Sequence, residues 1–441
     1  MTDFLAELEW RGLLHQASDP VAIRAHLASA QRRAYCGFDP TADSLTIGNL
    51  VPILLLARFQ RCGHQPIVLT GGGTGLIGDP SGKSAERQLL TRERVASNVA
   101  SIKRIFERAI DFSPASKNAA ILVDNADWLL KLTYLDALRD VGKHFSVNAM
   151  IQKDSVRDRL HNRDQGISYT EFSYMILQAY DFLHLHKSLG VTIQLGGSDQ
   201  WGNMTAGTDL IRKTHAAEHA DQAEREHAFV ITTPLITKAD GGKFGKTETG
   251  AIWLTADRTS PFAFYQFWLN SADADIPKFL RTFTFLSRPD IESLEASHAQ
   301  NPGERAAHRA LARHMTEMLH GTTEADHAES AAKALFSGEI AGLPEKTLRE
   351  VLSTVPASTH PRSQLESGEG GSGGVVLLDL LVTTALAKSK REAREFLQAG
   401  SVTINGKKAE PDTTLSTKDL LHGTMIALRR GKKQWHLTTW E

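Results

Sequence analysis

Short apolar, β-rich runs alternate with stretches of helical periodicity through the first half of the chain. The runs at 34–38, 66–70, 120–123, 191–195 and 229–232 have the length and composition of buried strands. Between two of them Val95, Val99, Ile102, Phe106 and Ile110 recur at helical spacing, the stripe of a helix that packs on a sheet. Strand and helix taking turns predict βαβ units, and therefore an α/β fold around a mostly parallel, doubly wound sheet. Such sheets bind ligands at the carboxyl ends of their strands. The glycine-rich segments fall there: Tyr35-Cys36-Gly37, Gly71-Gly72-Gly73 and Gly196-Gly197-Ser198-Asp199-Gln200.

After Pro261 the pattern turns helical. Phe264, Phe267 and Trp268, then Phe279, Phe283 and Phe285, mark a second core, expected within one helical domain that reaches about residue 330. Pro356, Pro361 and the run Ser367-Gly368-Glu369-Gly370-Gly371-Ser372-Gly373-Gly374 offer almost no apolar surface, so a flexible tether is expected over 331–374. Residues 375–441 then form a small α+β unit, in which Asn405-Gly406 signals a hairpin.

A chain of 441 residues, 41% apolar, buries large cores and divides into two or three domains. Its formal charge of −1 hides an asymmetry: residues 376–441 carry 11 Lys+Arg against 7 Asp+Glu, the remainder 39 against 44. A small basic appendage on a mildly acidic body fits a polyanionic partner. Cys36 and Cys62, the only cysteines, make neither a disulfide framework nor a four-cysteine zinc site, so no structural metal is expected. No long apolar run or secretory leader stands out, and a soluble, cytoplasmic protein with no membrane partner is expected.

Two segments carry the chemistry. In the first, Tyr35 to Asn49, a strand leads through a Pro-containing turn into an apolar helix; Gly48 admits a nucleotide to the backbone, where free N–H groups face an anion. In the second, Lys243-Phe244-Gly245-Lys246-Thr247, two lysines on a glycine-flanked loop act as mobile point charges for phosphate. Together they predict an enzyme that holds ATP from two sides. Gly78-Asp79-Pro80-Ser81-Gly82-Lys83-Ser84 imitates a P-loop but has one residue too few between its glycines, with Ile77 where the first glycine belongs.

These segments, with 71–87, 166–181 and 194–203, resemble in order and spacing the bacterial-type tyrosyl-tRNA synthetases of the class I aminoacyl-tRNA synthetase family, over essentially the whole chain. The resemblance implies a Rossmann-like catalytic domain over 1–235, a helical anticodon-side domain over 236–330 with the mobile lysine loop at its start, and an alpha-L type RNA-binding domain over 375–441. It implies activation of L-tyrosine by ATP, with Mg2+, then transfer to tRNA(Tyr), by a homodimer without tightly bound cofactor. Tyr35 and Asp181 are then expected on the substrate phenol, Tyr174, Gln178 and Asp79 on the α-ammonium, and Gln200 near the carboxylate. Asp199 is expected on the ribose, with Cys36, Gly37, Gly48 and Gly197 beside the nucleotide. Tyr174, Gln178 and Asp181 also share one helix face by spacing alone.

Carboxylate attack on the α-phosphate drives charge onto pyrophosphate, so cations and hydroxyls suffice: Lys83, Arg87, Lys243, Lys246, Thr247, Thr41, Thr46 and Asn49. The tyrosine carboxylate is ionised at neutral pH and needs no general base. Thr46-Ile47-Gly48-Asn49 stands where the class commonly has His-Ile-Gly-His, and Thr46 and Asn49 are expected to donate in place of the histidines. Lys390, Arg391, Arg394 and Lys407 are the expected RNA contacts. The competing readings are a tryptophan-activating relative and a synthetase-like RNA-binding protein with impaired catalysis.

Overall fold

The structure is a computed structural model that describes residues 3–81, 89–153, 156–157, 160, 166–218, 228–242, 244–247, 250–353, 355–366, 374–431 and 434–441. It divides into two compact units, Met1–Thr259 with Asn270–Leu319, and Ser260–Leu269 with His320–Glu441. Among the described residues no helix is long and apolar enough to cross a membrane.

The first unit is built on a six-stranded sheet: β1 (Gln16–Ala17), β2 (Arg33–Phe38), β3 (Gln65–Thr70), β4 (Ile121–Asp124), β5 (Ile193–Gly197) and β6 (Phe229–Thr233). Its order is β1-β6-β5-β2-β3-β4, parallel throughout except for the short antiparallel edge β1. The order reverses between β2 and β5, so a crevice opens at their carboxyl ends. Each expected strand is present within a residue or two. The expected stripe is buried as well: Val95, Val99, Ile102 and Phe106 lie on helix Arg92–Phe106, with Ile110 just beyond it.

Two helices border that crevice. Helix Leu50–Arg61 is apolar along most of its length and packs beneath β2 and β3. Its Arg58, 3% exposed, donates to the carbonyls of Thr282 (2.6 Å) and Thr284 (3.1 Å). Arg11 donates to the Arg281, Thr284 and Leu286 carbonyls, so two buried guanidiniums satisfy the end of helix Ile276–Phe283. Helix Tyr169–Leu189 starts at Ser168, whose hydroxyl accepts from the Glu171 N–H, and stops at Gly190 in the left-handed conformation. Phe182 of this helix is fully buried against Tyr35 of β2, ring centroids 5.3 Å apart. That contact fixes the helix's rotation relative to the sheet.

The second unit contains a five-stranded sheet ordered Lys407–Lys408, Val402–Ile404, Met425–Arg430, Gln434–Trp440, Ala357–His360; only the last pair is parallel. Helices Leu377–Thr383 and Lys390–Gln398 cover it, around Leu377, Leu380, Leu397, Val402, Leu428 and Trp440. Asn405 and Gly406 both have positive φ and close a two-residue hairpin between Ile404 and Lys407, as their order predicts.

The structure differs from the expected organisation in two places. Part of the expected 331–374 tether is ordered: helix Glu345–Val351 and strand Ala357–His360, the latter paired with the C-terminal strand. Backbone pairing here supplies what side-chain hydrophobicity lacks, and composition does not record it. The Gly/Ser-rich run 367–373 lies outside the described residues. The expected single core at 261–285 is split, because Phe264 and Trp268 belong to the second unit and Phe279 and Phe283 to the first.

Truncating Phe182 should cost about 3–5 kcal/mol, the usual loss for a phenyl ring in a closed core. Urea unfolding of Phe182→Ala measures it, and a change below about 1 kcal/mol would mean that the helix and β2 are not locked by this contact.

Candidate active site

A cavity of about 720 Å³ lies at the carboxyl ends of the strands in the first unit. Every expected site residue whose side chain is described there lines it. β2 contributes Tyr35, Cys36 and Gly37; the following loop contributes Thr41, Thr46, Gly48 and Asn49. Asp79 comes from the loop after β3, Tyr174, Gln178 and Asp181 from one face of helix Tyr169–Leu189, and Gly197, Asp199 and Gln200 from the end of β5. Lys83, Arg87 and Lys243 lie outside the described residues; Lys246 and Thr247 form a short backbone strand paired with Gly250–Ala251.

The floor is polar and buried. Asp181, 2% exposed, accepts from Asn125 Nδ2 (2.8 Å) and Trp128 Nε1 (2.7 Å). Burial nonetheless wins: it pushes the carboxyl up to about 8, against those two donors. Burial, then the charge of Asp181, also raises the Tyr35 phenol well above its ordinary value. The hydroxyl of Tyr35, a residue 1% exposed, has no hydrogen-bond partner among the described residues, and neither has Gln194 Oε1, which lines the same cavity. Buried polar atoms left unpaired cost free energy, so this floor is built for a ligand with polar groups of its own.

The walls form a second network. Tyr174 Oη and Thr74 Oγ1 donate to the two oxygens of Asp39, at 2.9 and 2.8 Å. Gln200 Nε2 donates to Asp79 Oδ2 (2.7 Å), whose other oxygen accepts from the Ser81 N–H. Burial raises the Asp199 carboxyl, and it pushes the Cys36 thiol up to about 12. Sequence reasoning missed Asp39, Thr74, Asn125 and Gln194. Asp39, Thr74 and Gln194 stand inside the stretches already singled out, whereas Asn125 is found only once β3 and β4 are paired.

The two chemistry-bearing segments are joined. Ile47 N–H donates to the Ile252 carbonyl and Leu254 N–H to the Leu45 carbonyl, with Thr46 bridging to Trp253. Gly245, in the left-handed conformation (φ 80°), packs so closely that a Cβ there would fall 2.4 Å from Ile47 Cγ2. Ile47–Asn49 is a single 3-10 turn, closed by Asn49 Oδ1, which accepts from the Thr46 N–H and hydroxyl (3.0 Å each). Turned this way, Asn49 presents its Nδ2 donors away from the turn.

In the second unit Lys390, Arg391, Arg394 and Lys407 are all exposed. Lys390 pairs with Asp379 (2.6 Å) and Arg391 with Glu395 (3.1 Å); such surface pairs are weak and readily exchanged for phosphate.

A doubly wound sheet with a nucleotide-sized, carboxylate-rich cavity at its switch point, beside a glycine-flanked lysine loop, defines a class: residues 28–337 match the class I tRNA synthetases (W and Y), and the chain belongs to that family. Residues 360–438 match the tyrosine–tRNA ligase SYY-like C-terminal domain. The chain is 50% identical to the tyrosine–tRNA ligase of Roseiflexus castenholzii over 438 residues, covering 99% of both chains. It is 49% identical to that of Dechloromonas aromatica, again over 99% of both. Among solved structures it resembles a C-terminally truncated mitochondrial tyrosyl-tRNA synthetase from Coccidioides posadasii (TM-score 0.66, 31% identity, 75% of this chain and 92% of that one).

Because the folded pKa of Asp181 is raised, the folded state holds a proton that the unfolded state has released between about pH 4 and about pH 8. Its contribution to stability is therefore full below about pH 4 and falls as pH rises through this window. Asp181→Asn should flatten that part of the profile. Urea unfolding at about pH 5 and about pH 8 reads it; an unaltered difference between the two would place the carboxylate in its ionised form throughout.

Proposed function

We infer that the chain is a tyrosine–tRNA ligase: it activates L-tyrosine with ATP, taken as its Mg2+ complex, and passes the tyrosyl group to the terminal ribose of tRNA(Tyr). A tyrosine carboxylate oxygen attacks the α-phosphorus, the bond to the bridging oxygen breaks, and pyrophosphate leaves with the electron pair. A ribose hydroxyl of tRNA then displaces AMP from the adenylate.

The observation that carries this reading is the floor. A phenol entering it donates to Asp181 and meets the Tyr35 hydroxyl, which has no hydrogen-bond partner among the described residues. An indole N–H can donate but has no oxygen to accept from the Tyr35 hydroxyl, which disfavours tryptophan. Asp79, Tyr174 and Gln178 suit the α-ammonium, with Tyr174 held by Asp39; Gln200 is placed by Asp79 beside the reacting carboxylate. Asp199 takes the ribose hydroxyls, and Cys36, Gly37, Gly48 and Gly197 line the nucleotide's path. Thr41 and Asn49 donate to the phosphates, Thr46 holding Asn49 in place through its hydroxyl rather than donating itself as expected, while Lys83, Arg87, Lys243, Lys246 and Thr247 follow the charge onto pyrophosphate.

The C-terminal unit grips tRNA through Lys390, Arg391, Arg394 and Lys407. The protein acts in the cytoplasm as a homodimer. Supporting the dimer, Leu130, Tyr134, Leu135, Leu138, Val147 and Tyr169 leave large apolar side chains exposed along one stretch of the first unit, more than a solitary surface tends to carry.

Tyrosine-dependent exchange of pyrophosphate into ATP tests the reading, and its absence would leave a binding protein. A site that pairs with a hydroxyl rejects the analogue lacking one, and tyrosine activation is the established example. Tyr35→Phe should therefore lower the ratio of kcat/KM for tyrosine over phenylalanine by about tenfold, one neutral hydrogen bond's worth. An unchanged ratio removes Tyr35 from the phenol site.

Ending the chain after Ser353 removes the five-stranded sheet whole, whereas a cut before Val375 would leave Ala357–His360 without its partner strand. The shorter chain should keep pyrophosphate exchange and lose tRNA charging by at least about tenfold (1.4 kcal/mol). Parallel loss of both activities would place the sheet in the catalytic step.

A further inference from the structure

Away from the cavity, in the first unit, three side chains from three elements converge. Asp273 opens the 3-10 turn Asp273–Asp275, His298 lies near the end of helix Arg288–Gln300, and His308 lies on helix Ala306–His320. Their ligand atoms lie within 4.8 Å of one another. His308 is fully buried, with Nε2 3.1 Å from Asp273 Oδ1 and the Ser271 backbone hydrogen-bonding its ring. His298 donates through Nε2 to the Asp273 carbonyl (3.0 Å), which leaves its lone pair on Nδ1, a buried atom without a partner.

We propose that Asp273, His298 and His308 bind a divalent transition-metal ion of the zinc type, which ties the three elements together. Two imidazoles and one carboxylate form a common zinc ligand set, with a fourth position open to water. Bonds of about 2.0–2.1 Å place neighbouring ligand atoms of a tetrahedron about 3.3 Å apart, close to the Nε2–Oδ1 separation observed. The backbone bond that fixes the His298 tautomer is the outer-shell contact metal-bound histidines usually make. Asp273, its side chain 61% exposed, gives the ion a way in.

The competing account is a protonated His308 paired with Asp273. A neutral imidazole keeps one ring lone pair free to ligate a metal ion, and the zinc titration below separates the two accounts. The Arg305 charge opposes the cation, so the neutral ligands and the single carboxylate must hold it against that charge. Counting cysteines could not reveal such a site, since it uses none.

The test uses the full chain, stripped with EDTA and titrated with zinc chloride alone by calorimetry, with thermal unfolding in parallel. The wild type should bind one ion per chain and unfold at a higher temperature with zinc present. His298→Ala and Asp273→Asn alter side chains that are not fully buried, so both variants should fold. Each should bind at least about 10–100-fold more weakly, the loss that even outer-shell changes bring, and lose the thermal shift. Zinc binding that is equal in wild type and both variants, or no stoichiometric binding by the wild type, overturns the proposal.

Discussion

One buried amide holds the active site together. Asn125, 1% exposed, donates through Nδ2 to Asp181 (2.8 Å) and to Thr74 Oγ1 (2.9 Å), and its Oδ1 accepts from the N–H groups of Gly73 (2.7 Å) and Thr74 (3.3 Å). All four of its hydrogen-bonding positions are used. Through it the turn after β3, the end of β4 and the substrate-bearing helix are locked to one another, and through Thr74 the lock extends to Asp39 and Tyr174. A network this fully satisfied is rigid, because every rearrangement leaves a buried group unpaired. The substrate therefore meets a preformed floor.

The phosphate side is organised differently. There the two segments are held by backbone pairing between 45–47 and 252–254 and by the close seat of Gly245 on Ile47. Arg258 reinforces this by pairing with Asp43 (2.6 Å) while it covers the Trp253 ring. The replacement of histidine by Thr46 and Asn49 fits this frame. The two residues close their own turn, so Asn49 stands oriented before ATP arrives, and the short Thr46 side chain serves chiefly as its anchor.

The strand–helix alternation was legible because burial on both sheet faces makes the strands read as apolar runs. The helix face of Tyr174, Gln178 and Asp181 was legible from spacing alone. What stayed hidden depends on pairing between distant segments. Asn125 is an ordinary loop residue until the sheet places it beside Thr74. Ala357–His360 looks like linker until the C-terminal strand adds it to a sheet. The helical region read as one domain because local periodicity carries no information about which neighbour a helix chooses.

Cys36 places a sulfur in the wall of the cavity, the place proposed above for formation of a mixed anhydride. Only the thiolate attacks such an acyl group. Burial holds this thiol protonated, pushed up to about 12, which disfavours its attack on an activated acyl group. The same protonation closes the route to sulfenic acid. The burial that raises the Asp181 carboxyl and the Tyr35 phenol thus also keeps the neighbouring cysteine protonated.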